Sequence, residues 1–299
     1  MSAAGEHGLT ATNSTALAPS AALALAGVRP RKSRGQNFLV QRAVADRIVA
    51  AAALARDDAV VEIGPGLGML TDAIARAPIR ALALIELDER LAAMLRTRFA
   101  GDRRIAVINR DFMTLRRDDL GPPPIKVLGN LPFNVAAAIL QRLCEFRGAI
   151  GLAVLMFQRE VAERIRACPG SREHGALSVF TAIYWRVREH FRVAAGNFHP
   201  RPKVDAEVLV LEPRADLIFD ASEEAAVLRT IRAGFSAPRK TLRNSLAGGF
   251  AIEAAALQTT IESAGLAPGA RPATLSAADF VRLARALVSA GLLEVDGDA

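Results

Sequence analysis

The sequence predicts an α/β fold: a mostly parallel sheet with helices on both sides, followed by a smaller all-helical C-terminal part. Three observations carry this. Short apolar runs recur at roughly regular intervals from residue 59. Stretches of helical period lie between them, and strands joined through helices pair in parallel. Beyond Pro213 only the helical period remains.

The elements follow in order. Residues 1–30 hold nine alanines with scattered Ser, Thr and Gly and no large aromatic, the composition of a disordered tail. The first basic residue is Arg29, so neither a secretory signal nor an organelle-targeting helix is expected. Order is expected from Arg31. Ala59–Ile63 is the first strand, and Ala81–Glu86, Ile105–Asn109, 125–129 and 152–157 follow. A helix over 89–99 puts Leu91, Met94, Leu95 and Phe99 on one face. Residues 207–212 make a late strand, expected at the sheet's far side. Pro213 and an acidic turn around Asp216 and Asp220 close this block. After it, Val227, Leu228, Ile231 and Phe235 form one helical face, and Phe280, Leu283 and Leu287 another. The expected division is a tail over 1–30, an α/β domain over 31–214 and a helical domain over 215–299.

Composition narrows the function classes. No apolar run approaches a membrane span. Cys144 and Cys168 form no CxxC pair, and His7, His174, His190 and His199 are scattered. No zinc spacing or disulfide framework is present, which suits a reducing cytoplasm. Lys+Arg number 38 against 31 Asp+Glu, a net charge of +7. That balance favours nucleic acid over a small acidic substrate as partner.

The motifs sharpen this. "VEIGPGLGMLT" follows the first strand, and Gly64, Gly66 and Gly68 allow a sharp turn close to a ligand. A nicotinamide loop wants Gly-x-Gly-x-x-Gly, and here the third glycine would fall at Met69. Glu86 lies 22 residues after Gly64, at the end of the second strand, where an acid suits two ribose hydroxyls. Asp111, at the tip of the third strand, can accept from an adenine amine. Taken alone, Glu86 reads as a helix-start acid and Asp111 as a turn residue. Together with the loop they point to a nucleoside cofactor without pyrophosphate, S-adenosylmethionine. "GNLPFN" then falls at the end of the fourth strand, beside the methyl.

With these pieces the chain resembles the ribosomal RNA adenine-N6,N6-dimethyltransferases of the KsgA type. "GQNFL", "EIGPGLGMLT", "IELD", "GNLPFN", "QREVAERI", "PGS…GALSV", "FHPRPKVDAEV" and "PRKTLRNSL" occur in the family's order across about residues 31–285. The resemblance implies that Asn37, Leu39, Gly64, Glu86, Asp111 and Asn130 bind cofactor and that Asn130 holds the target amine. It also implies a target of two adjacent adenosines near the 3′ end of 16S rRNA, in the small ribosomal subunit or its precursor. Phe133 stands where the bacterial enzymes usually have tyrosine, His174 where a tyrosine is frequent, and Arg271-Pro272-Ala273 lacks a common acid.

The chemistry follows from the residue types. Adenine N6 is a poor nucleophile because its lone pair is delocalised. The Asn130 carboxamide oxygen and the Leu131 carbonyl can accept from the amine hydrogens and free that lone pair. Pro132 stiffens the turn, Phe133 offers a stacking face, and Phe198 is placed to cover the other face of a flipped base. No metal is needed. Between Glu224 and Glu253 there is no acid, while Arg239, Lys240 and Arg243 follow Pro238, which suggests RNA phosphate contact at a helix start. Arg31, Lys32 and Arg34 extend that surface. The protein is expected to be a cytoplasmic monomer. Rival readings are a 23S rRNA adenine methylase of the macrolide-resistance type, a non-catalytic nucleic-acid-binding factor on the same fold, and a dehydrogenase, which the glycine spacing disfavours.

Overall fold

The computed structural model describes residues 36–294, together with Ala21, Leu23, Ala24 and Gly27. Most of the expected tail, with Arg31, Lys32 and Arg34, lies outside the described residues. Leu23 does not behave as part of a solvated tail. It is 4% exposed and packs on Phe38 and Leu91, which leave an apolar notch that a leucine fills.

Among the described residues, nine strands form two sheets. In chain order they are β1 (Phe38–Leu39), β2 (Ala59–Ile63), β3 (Ala81–Glu86), β4 (Ile105–Asn109), β5 (Ile125–Asn130), β6 (Ile150–Gln158), β7 (Trp185–Val193), β8 (Phe198–His199) and β9 (Ala206–Pro213). The large sheet runs β4-β3-β2-β5-β6-β9-β7. β4 through β6 are parallel, and β9 pairs antiparallel with both β6 and β7. The chain starts in the middle at β2, moves outward to β4, then returns to β5. Strand order therefore reverses between β2 and β5, and such a reversal opens a crevice at the carboxyl ends.

β9 lies one strand in from the edge, because β7 takes the edge position expected of 207–212. Along β7, Trp185, Phe191 and Val193 are buried, whereas Arg186, Arg188, Glu189, His190 and Arg192 face solvent. A bulge between Val187 and Glu189 breaks the alternation.

Helices cover both faces. Helices α1 (Arg42–Ala52) and α2 (Met69–Ala75) bury Ile48, Leu70 and Ile74 on one face. Helix α3 (Glu89–Arg98) adds Leu95 and is capped by Asp88, whose carboxylate accepts from the Arg90 N–H. On the other face lie α4 (Ala136–Glu145), α5 (Arg159–Arg166) and α6 (Ala176–Tyr184). Among the described residues all elements after Pro213 are helical: a 3-10 turn (Ala221–Glu223) leads into α7 (Glu224–Gly234), followed by α8 (Leu242–Phe250), α9 (Ala254–Ser263), a second 3-10 turn (Pro272–Thr274) and α10 (Ala277–Ser289). Their Val227, Ile231, Leu246, Phe280 and Leu287 belong to the same buried cluster as Leu140, Leu155 and Trp185. Among the described residues, no helix is long and apolar enough to cross a membrane.

Candidate active site at the strand ends

The crevice between β2 and β5 holds an open cleft of about 590 Å³. Its floor is the turn after β2. Gly64 and Gly66 have φ of +68° and +57°, a region that a side chain disfavours. Gly66 is further restricted by the Phe38 ring, which a Cβ would meet at 2.8 Å. The cleft wall includes Asn37, Leu39, Gly64, Glu86, Asn130, Leu131 and Pro132. The structure thus brings together seven residues picked out by sequence, from four separate segments.

Glu86 ends β3 and is 6% exposed. One carboxylate oxygen accepts from the Gly66 N–H at 3.0 Å, the other from the Asp88 N–H at 2.9 Å. Burial raises its pKa above the ordinary carboxylate value, and those two backbone N–H groups oppose the rise. Each oxygen keeps a second lone pair, so the group can accept from two hydroxyls at a fixed spacing.

Asn130 ends β5. Its Nδ2 donates to the Asn37 carbonyl at 2.8 Å, which orients the carboxamide and leaves the oxygen as its acceptor. That bond also ties the fourth-strand motif to the "QNFL" stretch. The "QNFL" stretch is held in turn by the small β1–β8 ribbon, where Leu39 lies opposite Phe198 and Phe38 opposite His199. Leu131 is buried, and its N–H donates to the Met156 carbonyl on β6.

Other expected residues lie differently. Asp111 is exposed and is not brought into the cleft wall. Its carboxylate accepts from the Met113 N–H and caps the 3-10 turn Phe112–Thr114. Phe133 and Phe198 do not frame a slot. Their rings meet at 6.4 Å with planes 67° apart, and Phe198 is buried. A base held between two rings needs parallel faces about 7 Å apart, twice a carbon contact distance. Pro238 does not start a helix: α8 begins at Leu242, capped by the Thr241 hydroxyl, which accepts from the Asn244 N–H. Arg239 and Lys240 are exposed in the turn before it. Arg243 is half-buried and donates to the Gln258 side chain. His174 is buried, with its ring nitrogens 3.1 Å from the Ala167 carbonyl and 3.0 Å from the Leu275 carbonyl. It ties the turn after α5 to the turn before α10. Among the described residues no group of three or more His, Cys, Asp or Glu side chains could hold a metal.

One cleft residue escaped the sequence reading. Glu62, on β2, is 1% exposed and lines the cleft. The Thr71 hydroxyl donates to it at 2.7 Å. Burial pushes its pKa up to about 8; the Thr71 bond opposes this, and Asp72 and Glu86 add to it. The signal was an acid inside an otherwise apolar strand, two residues before the glycine turn.

The cleft suits a nucleoside cofactor. Its turn has no room for a side chain at Gly66, and its fixed carboxylate matches a diol rather than a phosphate. A family model described as ribosomal RNA adenine dimethylase matches residues 27–288. A protein named ribosomal RNA small subunit methyltransferase A from Geobacter sulfurreducens is 39% identical over 270 residues, covering 89% of this chain and 98% of that one. A protein of the same name from Syntrophotalea carbinolica is 40% identical over 263 residues, covering 86% and 96%. Among solved structures, a dimethyladenosine transferase from Plasmodium falciparum shares the fold, with a TM-score of 0.70 over 85% of this chain and 98% of that one at 23% identity. The 23S rRNA methyltransferase ErmE matches with a TM-score of 0.62 and 27% identity, over 84% of this chain and all of that one. With a match that spans both the sheet and the helices behind it, the chain belongs to the ribosomal RNA adenine dimethylase family.

Proposed function

We propose that this protein transfers methyl groups from S-adenosylmethionine to N6 of two adjacent adenosines near the 3′ end of 16S rRNA, giving N6,N6-dimethyladenosine. One observation carries the reading: Glu86 and Asn130 face a single cleft from either side of the Gly64 turn. One is built for a ribose diol, the other for an amine. The small-subunit target is supported by the names of the relatives that match over nearly their whole length.

Glu86 holds the ribose hydroxyls, and Gly64, Asn37 and Leu39 shape the space around the nucleoside. Asp111, at the same end of the sheet, takes the adenine amine at the rim. The bound cofactor supplies an electrophilic sulfonium methyl. The Asn130 oxygen and the Leu131 carbonyl accept from N6–H and aim the nitrogen lone pair at that methyl, so rate comes mainly from positioning. The proton released from N6 passes to water. Phe133 stacks on the flipped adenine. The enzyme works as a monomer, in the cytoplasm where ribosomes mature.

Outside the cleft, Arg239 and Lys240 contact RNA phosphate. Changing both to Glu leaves cofactor affinity unchanged and lowers the salt dependence of subunit binding by roughly one unit of slope for each phosphate no longer neutralised. Overlaying salt titrations would place the RNA surface elsewhere. The function itself is tested by incubating the protein with labelled cofactor and undermethylated small or large subunits, then mapping the modified base. Label on two neighbouring adenosines of the small-subunit RNA is expected. Label in large-subunit RNA favours the 23S reading, and no label favours a non-catalytic factor.

A further inference from the structure

Leu23 lies far outside every motif, yet it is buried against the cleft from behind. Its cluster partners are Phe38 and Leu91, with Leu67 and Met94 packed beside them. Phe38, Leu67 and Leu91 all line the cleft. The Phe38 ring presses on Gly66, whose N–H donates to one oxygen of Glu86. Four residues after Leu23, the Gly27 carbonyl accepts from the Arg90 guanidinium. The Arg90 N–H donates to the Asp88 carboxylate, and the Asp88 N–H donates to the other oxygen of Glu86. The N-terminal segment therefore touches two chains of contact that end on the two oxygens of one carboxylate.

We propose that Leu23 is a positioning residue for the cofactor. From behind the cleft, Leu23 holds Phe38 and the Gly66 turn in the register that fixes Glu86. This rests on the cofactor reading above. Because Leu23 packs behind the cleft residues Phe38 and Leu91 and belongs to neither large core cluster, its loss acts on cofactor affinity rather than on global stability.

The test uses the full chain with Leu23→Ala, Leu23→Asp and Leu23→Met, and S-adenosylmethionine as the probe. Calorimetry is expected to show a Kd raised about tenfold for Leu23→Asp, less for Leu23→Ala, and restored by Leu23→Met, since a leucine's burial is worth about that factor. Cofactor-free Tm stays close to wild type, and in turnover the KM for cofactor rises while kcat at saturation holds. Wild-type affinity in both Leu23→Ala and Leu23→Asp overturns the proposal. So does a fall in cofactor-free Tm that Leu23→Met fails to rescue. Glu86→Ala run alongside separates the two readings: if wild type itself binds no cofactor, it is the cofactor assignment that fails.

Discussion

The two walls of the cleft are built to different standards. On the proposed cofactor side, both oxygens of Glu86 are fixed by backbone N–H groups. On the base side, Phe133 lies edge-on to Phe198 and no slot separates them. The first wall is ready for its ligand. The second has to open, and the half-buried Phe133 is the ring that can move, since Phe198 is locked in the core. On the proposed reading, recognition of the nucleoside is preorganised, whereas stacking of the target base is coupled to its arrival.

The strongest way to break this comparison is Asn130→Ala. Methyl transfer should fall about 100-fold or more, as when one polar group that stabilises a transition state is removed. Cofactor Kd should change only slightly. Single-turnover transfer alongside calorimetry reads both, and substantial turnover would remove Asn130 from the chemistry. Glu86→Ala should give the opposite pattern, with cofactor Kd raised more than about tenfold by loss of charged hydrogen bonds and little change in Tm. Near-wild-type affinity would undo the ribose assignment.

A smaller effect sharpens the base-side wall. Phe133→Ala should slow transfer by about tenfold, in line with base stacking of roughly 1–3 kcal/mol, while Phe133→Tyr should stay near wild type. Equal rates for the two would mean that Phe133 only plugs the loop. The last effect, on stability and not on turnover, belongs to Glu62. Its folded pKa of about 8 exceeds the ordinary 4.5, so the folded state binds the extra proton. That contribution to stability is full below the ordinary value and is lost as pH rises towards 8. Tm should therefore decline across that window in wild type and decline less in Glu62→Gln. Parallel profiles would show that Glu62 ionises normally.

The preorganised wall was the more legible one in sequence, for a physical reason. β2, β5 and β6 are buried on both faces, so their apolar runs stand out, and the proposed site groups Gly64 and Asn130 sit at or just past strand ends, where a run stops. β7 was not legible: it is an edge strand with charges on its open side and a bulge that spoils its period. Glu62 hid for the opposite reason, a single acid inside an apolar strand reading as part of the strand. The closed Phe133–Phe198 pair depends on β8 folding back on β1, a pairing of two residues that no local pattern announces. Leu23 gave no signal because a few leucines scattered among alanines at 17, 23 and 25 make no helical stripe of large side chains.

The cluster shared by Leu155, Trp185, Leu246 and Phe280 runs unbroken from sheet to C-terminal helices. A chain ending at Pro213 would leave the outer side of α6, against which α7 and α10 pack, with bare apolar side chains. The two parts should therefore unfold in one cooperative transition, and removing the helices should cost solubility as well as RNA binding. During synthesis the same seam stays uncovered until the last helix emerges. Methyl transfer thus becomes a property of the finished polypeptide and not of its first two-thirds.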